Sequence, residues 1–203
     1  RFLISNIIKG IQEGLINESL EDLMNGKKSD IIKMENNTLY QITTSFHQSN
    51  KQHQDKSSII LGECETLLKE KDNLLKNEPL IIFKTEQYFE DALIPLIEFE
   101  LFNPLTQEKL DLNYCRDASI NITILIPKSI NKNNLFKYDP NNSYYNDICY
   151  QSNIENKTDI SLYDRRHEFN TNYSFCPKNC FYNGYDSENK KVICNCKIQE
   201  RIL

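Results

Sequence analysis

The sequence predicts an α+β or mainly β chain, with an N-terminal helix, an antiparallel sheet or sandwich core, and a small disulfide-stapled tail. Three observations carry this reading. Apolar residues recur at helical spacing over the first two dozen positions. Several later segments alternate apolar and polar residues with the period of a strand. Four of the seven cysteines fall between Cys176 and Cys196, spaced C-x3-C-x13-C-x-C. At 203 residues the chain has room for one large domain, or a medium one with a small module. The division expected here is a leading helical segment over 1–35, a β-rich domain over 36–150 and a cysteine-rich tail over 151–203.

Ile4, Ile7, Ile8, Ile11, Leu15, Leu20, Leu23 and Met24 form the helical stripe, because steps of three and four residues return to one face. Asn25-Gly26 stops it, since both residues tolerate left-handed backbone. Glu13, Glu18, Glu21 and Asp22 fill the polar face, where a membrane-surface helix carries Lys and Arg. Leu39–Thr44 and Ser58–Leu61 are rich in β-branched and aromatic residues and read as strands. The polar stretch 45–57 between them reads as a long hairpin loop. Cys64, Leu67 and Leu68 suggest a short helix that fades by Asn73.

Leu80–Lys84 is a continuous apolar run, expected as a buried strand. In Leu96–Phe102, Ile97, Phe99 and Leu101 share one face while Glu98 and Glu100 share the other, as in a sheet with one wet side. Lys109–Leu112 reads as a short strand leading to Cys115. Ile120, Ile122, Ile124 and Ile126 alternate with Asn121 and Thr123, and Pro127 ends that strand. Residues 128–175 are turn-rich, and Tyr138, Tyr144, Tyr145 and Tyr150 either pack those loops down or form a binding surface.

The net charge of -5, without a basic patch, argues against a nucleic-acid partner. No apolar run approaches the ~18 residues of a membrane helix. No direct membrane insertion is therefore expected within these residues. The chain begins at Arg1 and is read as an internal piece of a longer protein, so missing targeting signals say nothing about location.

Seven cysteines suit disulfides in an oxidising compartment better than a zinc site. A C-x-C pair holds a tetrahedral ion poorly, because neighbouring side chains of an extended segment point to opposite faces. Disulfide candidates are Cys64, Cys115, Cys149, Cys176, Cys180, Cys194 and Cys196; no metal site is expected. Six N-x-[ST] motifs mark Asn17, Asn36, Asn121, Asn141, Asn156 and Asn172 as glycosylation candidates. Of these, Asn121 is placed outward by strand alternation.

The C-x-C pair preceded by a thirteen-residue loop resembles the second half of an epidermal-growth-factor-like (EGF-like) module. The resemblance implies Cys149 with Cys180 and Cys176 with Cys194, an unpaired Cys196 awaiting a cysteine beyond Leu203, and Cys64 with Cys115 joining two halves of the β body. The tail would then be an incomplete EGF-like module. A self-contained alternative pairs Cys176 with Cys194 and Cys180 with Cys196, and spacing alone leaves the choice open. The segments around Cys64, Cys115, Lys137–Pro140, Tyr144–Cys149, Asp164–Phe169 and Asn183–Cys196 resemble ectodomain segments of large membrane-anchored surface proteins from AT-rich single-celled eukaryotes. That likeness implies a cell-surface or extracellular setting and no activity.

Catalytic constellations are weak. His47 and His53 lie in the polar stretch, and His167 sits in a charged run without an adjacent nucleophile motif. Glu98 and Glu100 could form an acid/base pair, but outward carboxylates are the ordinary content of a wet sheet face. Asp139, Asn141 and Asn142 fall short of a calcium loop. Five glycines make a phosphate cradle improbable, and no cofactor is expected. The reading is a non-enzymatic extracellular structural or adhesive module, with other domains of the same chain, surface proteins or glycans as partners. The alternative is a secreted enzyme or a carbohydrate-binding domain, with Tyr144, Tyr145 and Glu98 as contacts.

Overall fold

A computed structural model describes residues 17–49, 56–90, 92, 94–126, 142–151, 160–168, 175–177, 179–186 and 188–198. The chain is α+β, built on two four-stranded antiparallel sheets. The first sheet contains β1 (Asp30–Glu35), β2 (Thr38–Thr44), β4 (Ile81–Gln87) and β5 (Leu96–Phe102), in the order β1-β2-β4-β5. The second contains β3 (Ser58–Ile60), β6 (Ser119–Leu125), β7 (Cys180–Asp186) and β8 (Lys191–Lys197), in the order β3-β6-β8-β7.

The sheets share one core. Ile59, Ile120, Ile122, Ile124, Val192 and Cys194 from the second sheet pack in the same cluster as Ile82 and Leu101 from the first. Cys64 and Leu68 of α3 (Glu63–Lys71) join this cluster. The other face of the first sheet carries a smaller cluster. There Leu23 of α1 (Asn17–Met24) meets Ile42, Ile81, Phe83 and Phe102. Strand β4 is therefore covered on both sides, which is why Ile81-Ile82-Phe83 reads as an unbroken apolar run. Gly26, at φ 73, turns the chain out of α1. Of the leading helical stripe, residues 1–16 lie outside the described residues.

The expected helical segment 1–35 contains a strand that periodicity did not reveal. Ile31-Ile32 is too short an apolar run to stand out, and β1 is defined by its pairing with β2 in the register Glu35↔Thr38 to Asp30↔Thr43. The turn between them is Asn36-Asn37, both left-handed at φ 47 and φ 59, as a two-residue hairpin requires. Replacing Asn37 by valine is expected to cost about 1–2 kcal/mol, because a β-branched side chain crowds the backbone at positive φ. Urea denaturation measures it, and Asn37→Gly is the neutral control.

The expected hairpin joining Leu39–Thr44 to Ser58–Leu61 does not form. β2 pairs with β4 and β3 pairs with β6, so the two segments belong to different sheets. The chain turns at α2 (Ser45–Ser49). Ser45 ties this corner down: its amide donates to the Leu80 carbonyl at 2.9 Å, and its hydroxyl accepts from the Leu80 amide at 3.0 Å. Residues 50–55 of the expected loop are outside the described set. Lys109–Leu112 is likewise not a strand: a lone bridge from Lys109 to Phe102 precedes a 3-10 turn, Leu112–Cys115.

The tail is not a separate sheet. β8 pairs with β6 along its full length, from Ser119↔Lys197 to Leu125↔Lys191. The sheet thus crosses the division drawn at 150/151, because Val192, Cys194 and Cys196 complete the core that β6 alone leaves open on one side.

Candidate functional site

The cysteines form three bridges: Cys64–Cys115, Cys176–Cys194 and Cys180–Cys196. Cys149 is a free, exposed thiol. The pairing implied by the EGF-like resemblance is therefore corrected at Cys149, at Cys180 and at Cys196, which is bonded to Cys180 rather than left unpaired. The hairpin β7–β8 places Cys180 directly opposite Cys196, so the self-contained pairing is the one adopted. Cys64–Cys115 fastens α3 to the 3-10 turn, and Cys176–Cys194 fastens the approach to β7 onto the middle of β8. These bridges place the chain in an oxidising, extracellular or secretory environment. Among the described residues no helix is long and apolar enough to cross a membrane.

The glycosylation candidates fall in different settings. Asn36 is exposed in the β1–β2 turn. Asn121 lies on the face of β6 opposite Ile120 and Ile122, and its Oδ1 accepts from Asn195 Nδ2 at 3.0 Å. Asn17 opens α1. Asn141, Asn156 and Asn172 lie outside the described residues.

Of the tyrosines considered from sequence as a binding surface, two are buried and Tyr150 is half-buried. Tyr144 and Tyr145, in α4 (Ser143–Asn146), are 1% and 4% exposed and meet edge-to-face at 4.8 Å. Their fixture is Arg165 of α5 (Leu162–Glu168), itself 1% exposed. Its guanidinium donates to the carbonyls of Tyr144 at 2.9 Å and Asp147 at 3.1 Å, and stacks on the Tyr144 and Tyr150 rings at 5.6 Å each. Arg166 adds a bond to the Tyr145 carbonyl at 2.9 Å. The run read as a charged turn is thus a helix that clamps the loop, opened by Ser161, whose hydroxyl accepts from the Asp164 amide at 3.1 Å. Nothing is described of the His167 side chain; Tyr138, Asp139 and His53 are outside the described residues. His47 Nδ1 is bonded to Thr44 Oγ1 at 2.9 Å. Glu100 is engaged by Lys109 at 2.7 Å, so Glu98 and Glu100 are not an isolated acid/base pair.

The site that sequence reading missed lies on β4. Lys84 and Glu86 alternate with Phe83 and Thr85, so they share the strand face turned towards the second sheet. Lys84 lies between Gln41 of β2 and Phe99 of β5, and Glu86 between Leu39 and Ile97. Both are sealed, at 0% and 1% exposure. Lys84 Nζ donates to Glu86 Oε1 at 2.7 Å and to the Ser57 carbonyl. Tyr88 donates its hydroxyl to Glu86 Oε2 at 2.7 Å. Beside them, Gln41 donates to Asp30 at 2.7 Å, and Lys56 stands 3.8 Å from the other Asp30 oxygen. The signal in the sequence was Lys and Glu two apart inside a strand. It becomes informative only once both faces of that strand are known to be covered.

Burial strips the Lys84 ammonium of water and lowers its pKa below the ordinary 10.5, against the opposing pull of Glu86. Tyr88 is shifted upward from 10.0, first by burial and then by its bond to Glu86. Across the interval from Lys84's lowered value up to 10.5, the unfolded chain binds the proton more tightly than the native one, so stability rises with pH there. Tyr88 acts in the reverse sense above its unfolded value of 10.0. The expected result is that the stability difference between wild type and the double variant Lys84→Met/Glu86→Leu moves in favour of wild type as pH is raised from 7 towards 10. Urea titrations at stepped pH test this; a flat difference would show that Lys84 keeps its ordinary affinity for the proton.

A lysine of lowered pKa can act as a nucleophile, but at zero exposure no external carbonyl reaches Lys84. The arrangement is a buried ion pair that a core must satisfy. No group of three or more His, Cys, Asp or Glu side chains suited to a metal occurs among the described residues. Comparison with known proteins finds no matching family model, no matching curated protein and no matching solved structure.

Proposed function

We propose that the chain is a non-enzymatic extracellular module, structural or adhesive, of a larger surface protein, carrying N-linked glycans at its exposed sequons. The observation that carries this reading is the placement of the three bridges. One ties α3 to the 3-10 turn, and the other two tie the last hairpin to itself and to its approach, so segments far apart in sequence are fastened around one core. The Lys84–Glu86 ion pair is sealed between the sheets, where no external substrate reaches it. Burial of Tyr144 and Tyr145 removes the aromatic contacts on which a sugar-binding reading rested.

The chain made in a secretory host provides the test. Single-molecule pulling is expected to show one mechanically resistant unit whose unfolding force drops on reduction, and beads coated with the oxidised chain are expected to be retained on cells. Turnover of a hydrolase substrate by the folded chain, abolished by Glu98→Gln, would overturn the reading. So would a chain that resists force no better oxidised than reduced and retains no beads.

A further inference from the structure

The three bridges are not equivalent. Cys64 and Cys115 are both fully buried, and Cys176–Cys194 is nearly so. Cys180 is half-buried and lies on β7, the edge strand of its sheet. Its partner Cys196 is its direct cross-strand neighbour. The Lys197 amide donates to the Asn179 carbonyl, one residue outside the pair, which makes Cys180↔Cys196 a non-hydrogen-bonded pair. Such a pair relaxes at a Cα separation of about 4.5 Å, and a disulfide at about 4.4–6.8 Å. Here the separation is 4.0 Å, against 5.0 and 5.6 Å in the other two bridges. The two strands thus lie closer at this bridge than the backbones joined by the other two. Beyond it, the pairing of β7 with β8 shifts register between Tyr182 and Tyr185, where Gly184 takes φ 128, so the ladder is interrupted in the middle of the edge strand. β8 does not depend on this bond, since it pairs with β6 along seven residues and is anchored by Cys176–Cys194.

We propose that Cys180–Cys196 is a thiol–disulfide exchange site, open to a small or protein-borne dithiol reductant, and that its reduction frees β7 while leaving the rest of the sandwich intact. In the first step a thiolate of the dithiol attacks the sulfur of Cys180, the less buried of the two cysteines. The bond to Cys196 breaks, and Cys196 leaves as a thiolate that takes up a proton. The second thiol of the reductant then attacks the mixed disulfide. It releases Cys180 as a thiol and leaves the reductant as a disulfide, with two electrons passed to the protein. The outcome is an exposed β8 edge, whose backbone groups are then available to another strand.

The test is differential alkylation of the native, oxidised chain across a dithiothreitol series, read by peptide mass spectrometry. Cys149 is expected to label without reductant. Cys180 and Cys196 are expected to label together at a dithiothreitol concentration about tenfold below that needed for the other four. Amide exchange over 180–186 is expected to rise at that same concentration, while 119–125 stays protected. Simultaneous labelling of all six, or earlier labelling of either other pair, would overturn the proposal. Repeating the series with Cys149→Ser separates external reductant from internal reshuffling: unchanged labelling of Cys180 and Cys196 supports the proposal, and its loss refutes it.

Discussion

Replacing Lys84 by methionine is expected to lower the stability of the folded chain by about 3–5 kcal/mol, because it leaves the Glu86 carboxylate buried beside Leu39 and Ile97 with its cation gone. Tyr88 still donates to one Glu86 oxygen, but a phenol does not offset a buried charge. The double variant Lys84→Met/Glu86→Leu removes both charges and fills the space with apolar atoms. It is expected to recover most of the loss, within about 1 kcal/mol of wild type or somewhat above it. Urea denaturation of the three proteins is the measurement. A single variant as stable as wild type would mean that Glu86 takes up a proton at little cost, or that water reaches it. A double variant as unstable as the single would mean that the polar pair, not its charge balance, holds the sheets in register.

Removing the Cys64–Cys115 bridge by Cys64→Ala/Cys115→Ala is expected to cost about 4 kcal/mol, since the bridge closes the largest loop of the three, with a sequence separation of 51. Both sulfurs are fully buried, so lost packing adds to the loss of chain constraint. Removing Cys180–Cys196, which spans only 16 residues at the sheet edge, is expected to cost less. The comparison by chemical denaturation is direct, and the reverse order would show that the edge hairpin and not α3 is the keystone of the second sheet.

Much of the local structure was legible. Alternation placed β5 and β6 with their faces, and the 3.6-residue period placed α3. The Asn25-Gly26 stop placed the end of α1. These elements are encoded by short-range patterns in which each residue reports on its own strand or helix. β1 was not legible, because six residues with two adjacent isoleucines carry no clean period. The α4–α5 clamp was read as loop and charged turn, since Arg165 gains its meaning only from the carbonyls of Tyr144 and Asp147, eighteen or more residues earlier. The Lys84–Glu86 pair was hidden for the same reason, as a lysine at the end of an apolar run looks like a strand emerging into water.

The sequence by itself determined the redox setting, the class of fold and most of its strands, because cysteine count and residue periodicity are properties of the local chain. The partners were decided by tertiary structure alone. Which strand lies beside which, which cysteine meets which, and which charges are shut away from water depend on contacts between residues tens of positions apart, where many pairings satisfy the same local pattern. The cysteine-rich tail shows this most plainly. Its spacing permits an EGF-like pairing with Cys149. The core of the second sheet needs β8 against β6, and the register of β7 on β8 then sets Cys180 opposite Cys196 and leaves Cys149 exposed.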